Sequence, residues 1–149
     1  MPVVENSVTI QAPIAKVFDV VEDPERYSEW FQGVRDTVGV TRTDEHVGDS
    51  WTVKYSALGI TFDVDQEVTD WVENDHISIR MGGAFPGTLT TTLTSDGDST
   101  TVTQRFDYEI KGGALGKAMN KLVLERMNAK NAARSLDDLK DILEQGTAD

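Results

Sequence analysis

The stretch "VTIQAPIAKVFDVVEDPERYSEWFQGV" (Val8–Val34) changes its apolar periodicity twice and thereby sets the order of the first elements. It opens as the end of an alternating strand, which the whole segment "VVENSVTI" (Val3–Ile10) predicts. After Pro13, which suits the first turn of a helix, apolar residues recur at i, i+3, i+4 and i+7. These residues are Ile14, Val17, Phe18 and Val21. The pattern indicates a short amphipathic helix.

A corner at Asp23-Pro24 separates this helix from a second one. The residue before a proline avoids the helical region, so the first helix ends there. The same pair suits a new helix start, with Asp23 as N-cap and Pro24 in the first turn. Tyr27, Trp30 and Phe31 follow at helical spacing. These aromatic residues either fill a core or form one wall of a container.

From Val34 to Ile110 the apolar residues alternate with polar ones, which predicts strands with one buried face. Short turns such as "ENDH" and "SDGDS" separate them and favour antiparallel neighbours. Six strands are predicted after the helices, and about seven in all. Inward positions read from the alternation include Asp36, Tyr55, Phe62, Gln66, Gln104 and Tyr108.

A long helix is predicted from about Leu115 to Gln145, because no Gly or Pro interrupts the chain between Lys117 and Gln145. Its early apolar stripe is taken to run through Leu122 and Ala129. Its late stripe runs through Leu136 and Leu139. At 100° per residue the two stripes do not align, so the helix is expected to meet different walls at its two ends.

Bulk composition narrows the function classes. The chain has 149 residues, of which 38% are hydrophobic, and a formal net charge of −12. This length and apolar content favour one domain with a real core, and an acidic chain repels nucleic acid and anionic lipid surfaces. There is no cysteine, and no apolar run is long enough to span a membrane. With no signal peptide visible at the start, a cytoplasmic location is expected.

The order of elements, a strand, two helices, a six-strand meander and a long helix, resembles the helix-grip fold. The sequence is similar to the START / birch-pollen-allergen superfamily (SRPBCC), in its polyketide cyclase/dehydrase and lipid transport branch. The segment quoted above carries this resemblance, with support from "GDSW" (Gly48–Trp51) and "DWVENDHISIR" (Asp70–Arg80). It implies a single α+β helix-grip domain over residues 1–149, in which the sheet curls around the long helix and encloses an apolar cavity. In such a fold the aromatics of the second helix would close one end of the container.

The alternation and the early helical stripe together predict the lining of this cavity. The predicted ligand-binding set is Tyr55, Phe62, Gln66, Met81, Gln104, Phe106, Tyr108, Met119, Leu122 and Arg126. Arg126 is of most chemical interest, because a buried guanidinium needs an acceptor and would hold a carboxylate, phenolate or carbonyl. The structural alternative is an ion pair, for example with Asp36, or an extended side chain that reaches solvent.

Catalytic and metal-binding residues are not evident. His46 and His76 are the only histidines and read as loop or strand-end residues. No metal site and no cofactor are predicted, and no catalytic residue is assigned.

Three functions remain open. The first is a carrier or sensor of a hydrophobic small molecule such as a lipid, polyketide or isoprenoid. The second, implied by the resemblance, is a polyketide aromatase/cyclase, with Arg126 stabilising an enolate and Tyr55 or Tyr108 relaying a proton. The third is a protein-interaction module. No nucleic-acid partner is expected, and the sequence leaves the oligomeric state open.

Overall fold

The architecture is a seven-stranded antiparallel sheet that curves around one long helix. The computed structural model describes residues 2–113 and 120–146. The strands are β1 (Val3–Ile10), β2 (Val34–Thr41), β3 (Ser50–Ala57), β4 (Ile60–Val72), β5 (His76–Gly83), β6 (Gly87–Asp96) and β7 (Ser99–Tyr108). Their order in the sheet is β1-β7-β6-β5-β4-β3-β2, so every neighbour in sequence after the helices is also a neighbour in space. This arrangement confirms the predicted fold class.

Helix α1 (Ile14–Val21) buries Val17, Phe18, Val20 and Val21, as the spacing predicts. The predicted corner follows it. The Asp23 side chain accepts a hydrogen bond from the Glu25 backbone N–H, and Pro24 occupies the first turn. That turn is a 3-10 helix (Pro24–Arg26), which leads directly into the short helix α2 (Tyr27–Trp30).

The long helix α3 (Lys121–Gly146) packs against β1, β3 and α2. Its start is fixed by Asn120, whose side-chain oxygen accepts from the Val123 backbone N–H at 3.1 Å, a typical N-cap contact. The predicted start near Leu115 falls in residues 114–119, outside the described residues. Within the described residues, no helix combines the length and apolarity that crossing a bilayer requires.

The alternation holds in the central strands and fails in the edge strand β2. In β4, Phe62, Val64, Gln66 and Val68 are buried while Thr61, Asp63 and Asp65 are exposed. In β2 the register shifts twice, between Val34 and Asp36 and again between Val38 and Thr41. Asp36 is therefore exposed, and the expectation that it lies on the inner face is wrong.

The two ends of α3 lie in different surroundings. Near its C-terminus, Leu136, Leu139 and Leu143 are almost completely buried. This end is tied to β1, where Lys140 donates to the Thr9 carbonyl at 2.8 Å and Glu144 accepts from the Gln11 N–H at 2.9 Å. Nearer the middle of the helix, Asn128, Asn131 and Ala132 line a cavity that lies between helix and sheet.

Candidate functional site

An internal cavity of about 100 Å³ lies between the inner face of the sheet, helix α2 and the first half of α3. Its lining is mostly apolar and aromatic, with a few amide and hydroxyl groups. The lining residues are Val4, Tyr27, Phe31, Gln32, Val34, Val53, Tyr55, Val64, Gln66, Met81, Phe85, Leu89, Phe106, Tyr108, Asn128, Asn131, Ala132 and Ser135. This combination of an apolar wall and a few placed polar groups is typical of a small-molecule site.

Helix α2 supplies one wall of the cavity. Tyr27 and Phe31 line it, with their rings edge-to-face at 5.0 Å. Trp30 lies behind them, 1% exposed, and stacks on Phe31 at 3.9 Å. Of the three aromatics singled out in the sequence, two therefore form the container wall and the third packs the core that supports it.

Phe85, in the connection between β5 and β6, organises the opposite wall. Its ring meets Tyr55 at 5.9 Å, Phe62 at 5.2 Å and Tyr108 at 5.9 Å, each in an edge-to-face arrangement. Such pairs stabilise by about 0.5–1.5 kcal/mol beyond their area burial. The ring cluster therefore holds the two tyrosines in fixed positions at the cavity wall.

A hydrogen-bonded chain of two tyrosines and two asparagines joins the sheet to α3. Asn131 Nδ2 donates to Tyr55 Oη at 2.9 Å, and Tyr55 Oη donates to Asn128 Oδ1 at 2.7 Å. Asn128 Nδ2 then donates to Tyr108 Oη at 3.1 Å. These hydrogen bonds provide partners for polar groups that would otherwise be costly to bury in an apolar wall.

The cavity tyrosines remain protonated at neutral pH. Burial raises the pKa of Tyr55 to about 12, with the hydrogen bond from Asn131 opposing the shift. Burial likewise raises the pKa of Tyr108 and of Tyr27. Their hydroxyls therefore act as hydrogen-bond donors and acceptors and are poor bases near pH 7.

Gln66 is a second polar element in the cavity wall. Its Oε1 accepts a hydrogen bond from Trp51 Nε1 at 2.8 Å, and the two residues are paired across β3 and β4. The side chain is 9% exposed. Because the indole N–H can only donate, this contact fixes the amide orientation and directs the Nε2 group elsewhere.

A second depression, of about 400 Å³, adjoins the cavity, and we call it the outer groove. It shares Gln32, Val34 and Asn131 with the cavity and extends past the β3–β4 turn. Its further lining residues are Gly33, Arg35, Ser56, Ala57, Leu58, Gly59 and Met127. The shared residues place the outer groove at one end of the cavity.

The sequence-predicted site residues divide into four groups, of which the last, Leu122 and Arg126, is described in the next paragraph. Tyr55, Gln66, Met81, Phe106 and Tyr108 line the cavity together. Phe62 and Gln104 point inward and are buried, but Phe62 packs behind Phe85 and Gln104 Nε2 donates to Thr91 Oγ1 at 3.2 Å. Met119 lies outside the described residues.

The prediction that Leu122 and Arg126 line the cavity is wrong. Leu122 is 54% exposed, and Arg126 is also exposed, so neither faces the cavity. The inward face of α3 instead runs through Leu124, Asn128, Asn131 and Ser135, at i, i+4, i+7 and i+11. The apolar stripe read from Leu122 and Ala129 lies on another side of the helix. Because Arg126 does not face the cavity, it is not placed to stabilise an enolate there.

Sequence reasoning missed Asn128, Asn131 and Phe85. The two asparagines lie in register with the buried late stripe, so continuing Leu136 and Leu139 backward by helical steps would have found them. Their polarity hid them, because the stripe was traced through apolar residues only. Phe85 lies in a connection between strands, where no periodicity applies.

The two histidines belong to other parts of the molecule. His46 stacks on Trp71 at 4.2 Å and bonds to the buried carboxylate of Asp49 at 3.2 Å. Asp49 also pairs with Arg42 at 2.9 Å, so this group anchors the β2–β3 connection. His76 lies between Asp70 and Asp75, whose hydrogen bonds raise its pKa.

Comparisons with known proteins agree with this geometry. The model of the family "polyketide cyclase / dehydrase and lipid transport" matches residues 1–144. A search of curated proteins gives no significant match.

Among solved structures, the chain is similar to a START superfamily protein from Mycobacterium smegmatis (18% identity, TM-score 0.78, 96% of this chain and 97% of that one). It is also similar to the Zhui aromatase/cyclase from Streptomyces sp. R1128 (17% identity, TM-score 0.78, 98% and 95%). A third similar structure comes from Thermus thermophilus (20% identity, TM-score 0.78, 98% and 99%). At these identities the structures share the fold.

Proposed function

Because the chain belongs to the polyketide cyclase/dehydrase and lipid transport family, we propose that it binds a hydrophobic small molecule in the internal cavity, as a carrier or sensor. The ligand class is a lipid, polyketide or isoprenoid. The observation that carries the proposal is the cavity itself, which is lined mainly by apolar and aromatic side chains in a fold whose other end is filled.

The apolar lining of this cavity favours the binding of a hydrophobic ligand. Apolar ligand surface transferred from water to such a wall gains about 25 cal/mol per Å² before the entropy costs of binding. Tyr55, Tyr108, Asn128 and Asn131 already satisfy much of one another's hydrogen-bonding capacity. The cavity therefore offers apolar burial together with a small number of fixed polar contacts.

The volume of the cavity limits how much of a ligand can enter it. The cavity measures about 100 Å³, below the roughly 300–1,000 Å³ of pockets that enclose a drug-sized ligand. A compact apolar portion fits inside, and the remainder of a longer molecule extends into the outer groove of about 400 Å³. Gln32, Val34 and Asn131, which line both spaces, then form the passage between them.

A polyketide aromatase/cyclase is the competing function, and the similarity to the Zhui aromatase/cyclase favours it. Folding a poly-ketone chain needs room for that chain and a group that moves a proton. The titratable groups described at the cavity are tyrosines whose pKa burial raises, which makes them donors to a developing oxyanion and poor bases. This chemistry favours binding over turnover.

Native mass spectrometry of the protein, purified gently from the organism that makes it, tests the proposal. We expect a reproducible additional mass that disappears on denaturation. The matched control is Ala132→Trp, which places an indole in the cavity from the wall of α3. Retention of the same mass by this variant would place the ligand elsewhere, and conversion of a supplied poly-ketone would favour the cyclase.

A further inference from the structure

Gln66 presents an unused hydrogen-bond donor to the cavity. Its Oε1 is occupied by Trp51 Nε1, and its Nε2 has no partner among the described residues. The side chain is nine-tenths buried and lines the cavity. An amide N–H without an acceptor in an apolar environment carries a desolvation cost, which an acceptor on a bound molecule would remove.

Tyr108 presents a second unused hydrogen-bond donor to the cavity. Its hydroxyl oxygen accepts from Asn128 Nδ2, and its own O–H hydrogen has no acceptor among the described residues. The residue is 4% exposed and lines the cavity. Burial raises its pKa, so the hydroxyl keeps the proton that it would donate.

The two donors lie in one row across the sheet. Gln66 is paired with Met81, Met81 with Gly87, and Gly87 with Tyr108. Three strand spacings separate the backbones of Gln66 and Tyr108, about 14 Å along the sheet. Both side chains project from the concave face and line different parts of the same cavity.

We propose that the cavity selects an apolar molecule that carries carbonyl-type oxygens, with Gln66 Nε2 and Tyr108 Oη as the two donors that recognise them. A hydrocarbon of the same shape would leave both donors without a partner. This inference rests on the proposed binding function and adds the chemical class of the ligand. It differs from general apolar binding, because the preference comes from two named side chains.

Two isosteric probes isolate this preference. Cyclopentanone and methylenecyclopentane have similar ring shapes and differ by a C=O in place of a C=CH₂ group. Binding of each is followed by NMR, with the methyl resonance of Met81 as the affinity readout. The indole N–H resonance of Trp51, which is bonded to Gln66, serves as the signature of that donor.

For the wild type we expect the ketone to bind about three- to tenfold more tightly, the factor expected for one net hydrogen bond. We expect the ketone to shift the Trp51 resonance more than the hydrocarbon does. Gln66→Met and Tyr108→Phe each keep the approximate side-chain volume and remove one donor. Each change also frees the group that donated to the lost side chain, Trp51 Nε1 or Asn128 Nδ2, so the preference is expected to fall in each single variant and most strongly in the double variant.

Gln104→Met is the matched control, because Gln104 is a buried glutamine on the same sheet that does not line the cavity. It should keep the full preference for the ketone. Equal affinities of the two probes in the wild type, or a preference that is undiminished in the double variant, would overturn the inference. Failure of both probes to bind would overturn the proposed binding function itself.

Discussion

The two ends of helix α3 differ in how they meet the sheet. At the C-terminal end Leu136, Leu139 and Leu143 are nearly inaccessible and fill the space between helix and sheet. At the other end the same helical face presents Asn128 and Asn131, which bond to tyrosines across a cavity. One helix therefore fills the core near its C-terminus and lines a cavity from Asn128 to Ser135, while Leu124, nearer its start, is again buried in the core. We call the C-terminal part the filled end and the cavity-lining part the hollow end.

The difference shows that one part of the helical face packs the core and another part lines the cavity. Leucines at the filled end hold the helix on β1. Amides at the hollow end keep the helix at a distance that tyrosine hydroxyls bridge, and they satisfy polar groups that a fully apolar face would leave unpaired. Substitutions at the two ends should therefore have different effects, and four of them test this.

The largest effect is expected for Leu139→Ala at the filled end. Leu139 is 0% exposed, and its truncation removes apolar burial and leaves a cavity. We expect the free energy of unfolding to fall by about 3 kcal/mol, measured by urea denaturation. Asp137→Ala, an exposed neighbour, is the control and should change it by less than about 0.5 kcal/mol. A loss below about 1 kcal/mol for Leu139→Ala would show that this end is not tightly filled.

Asn128→Ala should give the next largest loss. Asn128 accepts from Tyr55 and donates to Tyr108, so its removal leaves two partly buried hydroxyls without that partner. We expect a decrease of about 2 kcal/mol in the free energy of unfolding. Lys130→Ala, on an exposed position of the same helix, should be nearly neutral. Equal stability of the two variants would show that the tyrosine–asparagine chain contributes nothing.

Alkaline pH should weaken the hollow end through Tyr55. Its pKa is raised from 10.0 to about 12 in the folded protein. Between these values the folded protein keeps a proton that the unfolded chain has lost, so the free energy of unfolding falls as pH rises. The contribution is complete below about pH 10 and disappears toward about pH 12.

We expect a decrease of roughly 1 kcal/mol from this residue by about pH 11, measured by urea denaturation across the pH series. Tyr55→Phe should flatten the dependence in part, since the pKa values of Tyr27 and Tyr108 are raised too. An unchanged slope in Tyr55→Phe would mean that Tyr55 is accessible to solvent in the folded state.

The smallest effect on stability is expected for Ala132→Leu at the hollow end. Ala132 lines the cavity, so added methyl groups enter empty space rather than a packed core. We expect the melting temperature to stay within a few degrees of the wild type, while binding of small apolar probes weakens. Insertion into a filled core typically costs about 1–3 kcal/mol. A loss of that size would mean that the hollow end is packed like the filled one.

The sequence predicted the sheet side of the cavity better than the helix side. In the central strands every second residue points inward whatever its polarity, so Gln66 and Tyr108 were placed correctly beside Met81. In edge strand β2 the alternation did not predict the inward residues, because two register shifts interrupt it.

On a helix the inward face is recognised from the sequence by its apolar residues. Where the helix lines a cavity, inward positions can be polar, and this rule fails. Asn128 and Asn131 face inward because they bond to tyrosines, while Leu122 is exposed. The prediction therefore followed the wrong residues along the first half of the helix. The buried leucines of the second half carried the correct phase.

Methyl NMR of the protein under xenon pressure tests the contrast between the two ends most directly. Xenon is apolar and small, and it enters dry protein cavities. We expect saturable shifts of the Met81 and Leu89 methyl groups, which line the cavity, and none for Leu139 and Leu143 at the filled end. Shifts that are uniform along the helix, or absent at Met81 and Leu89, would contradict this expectation.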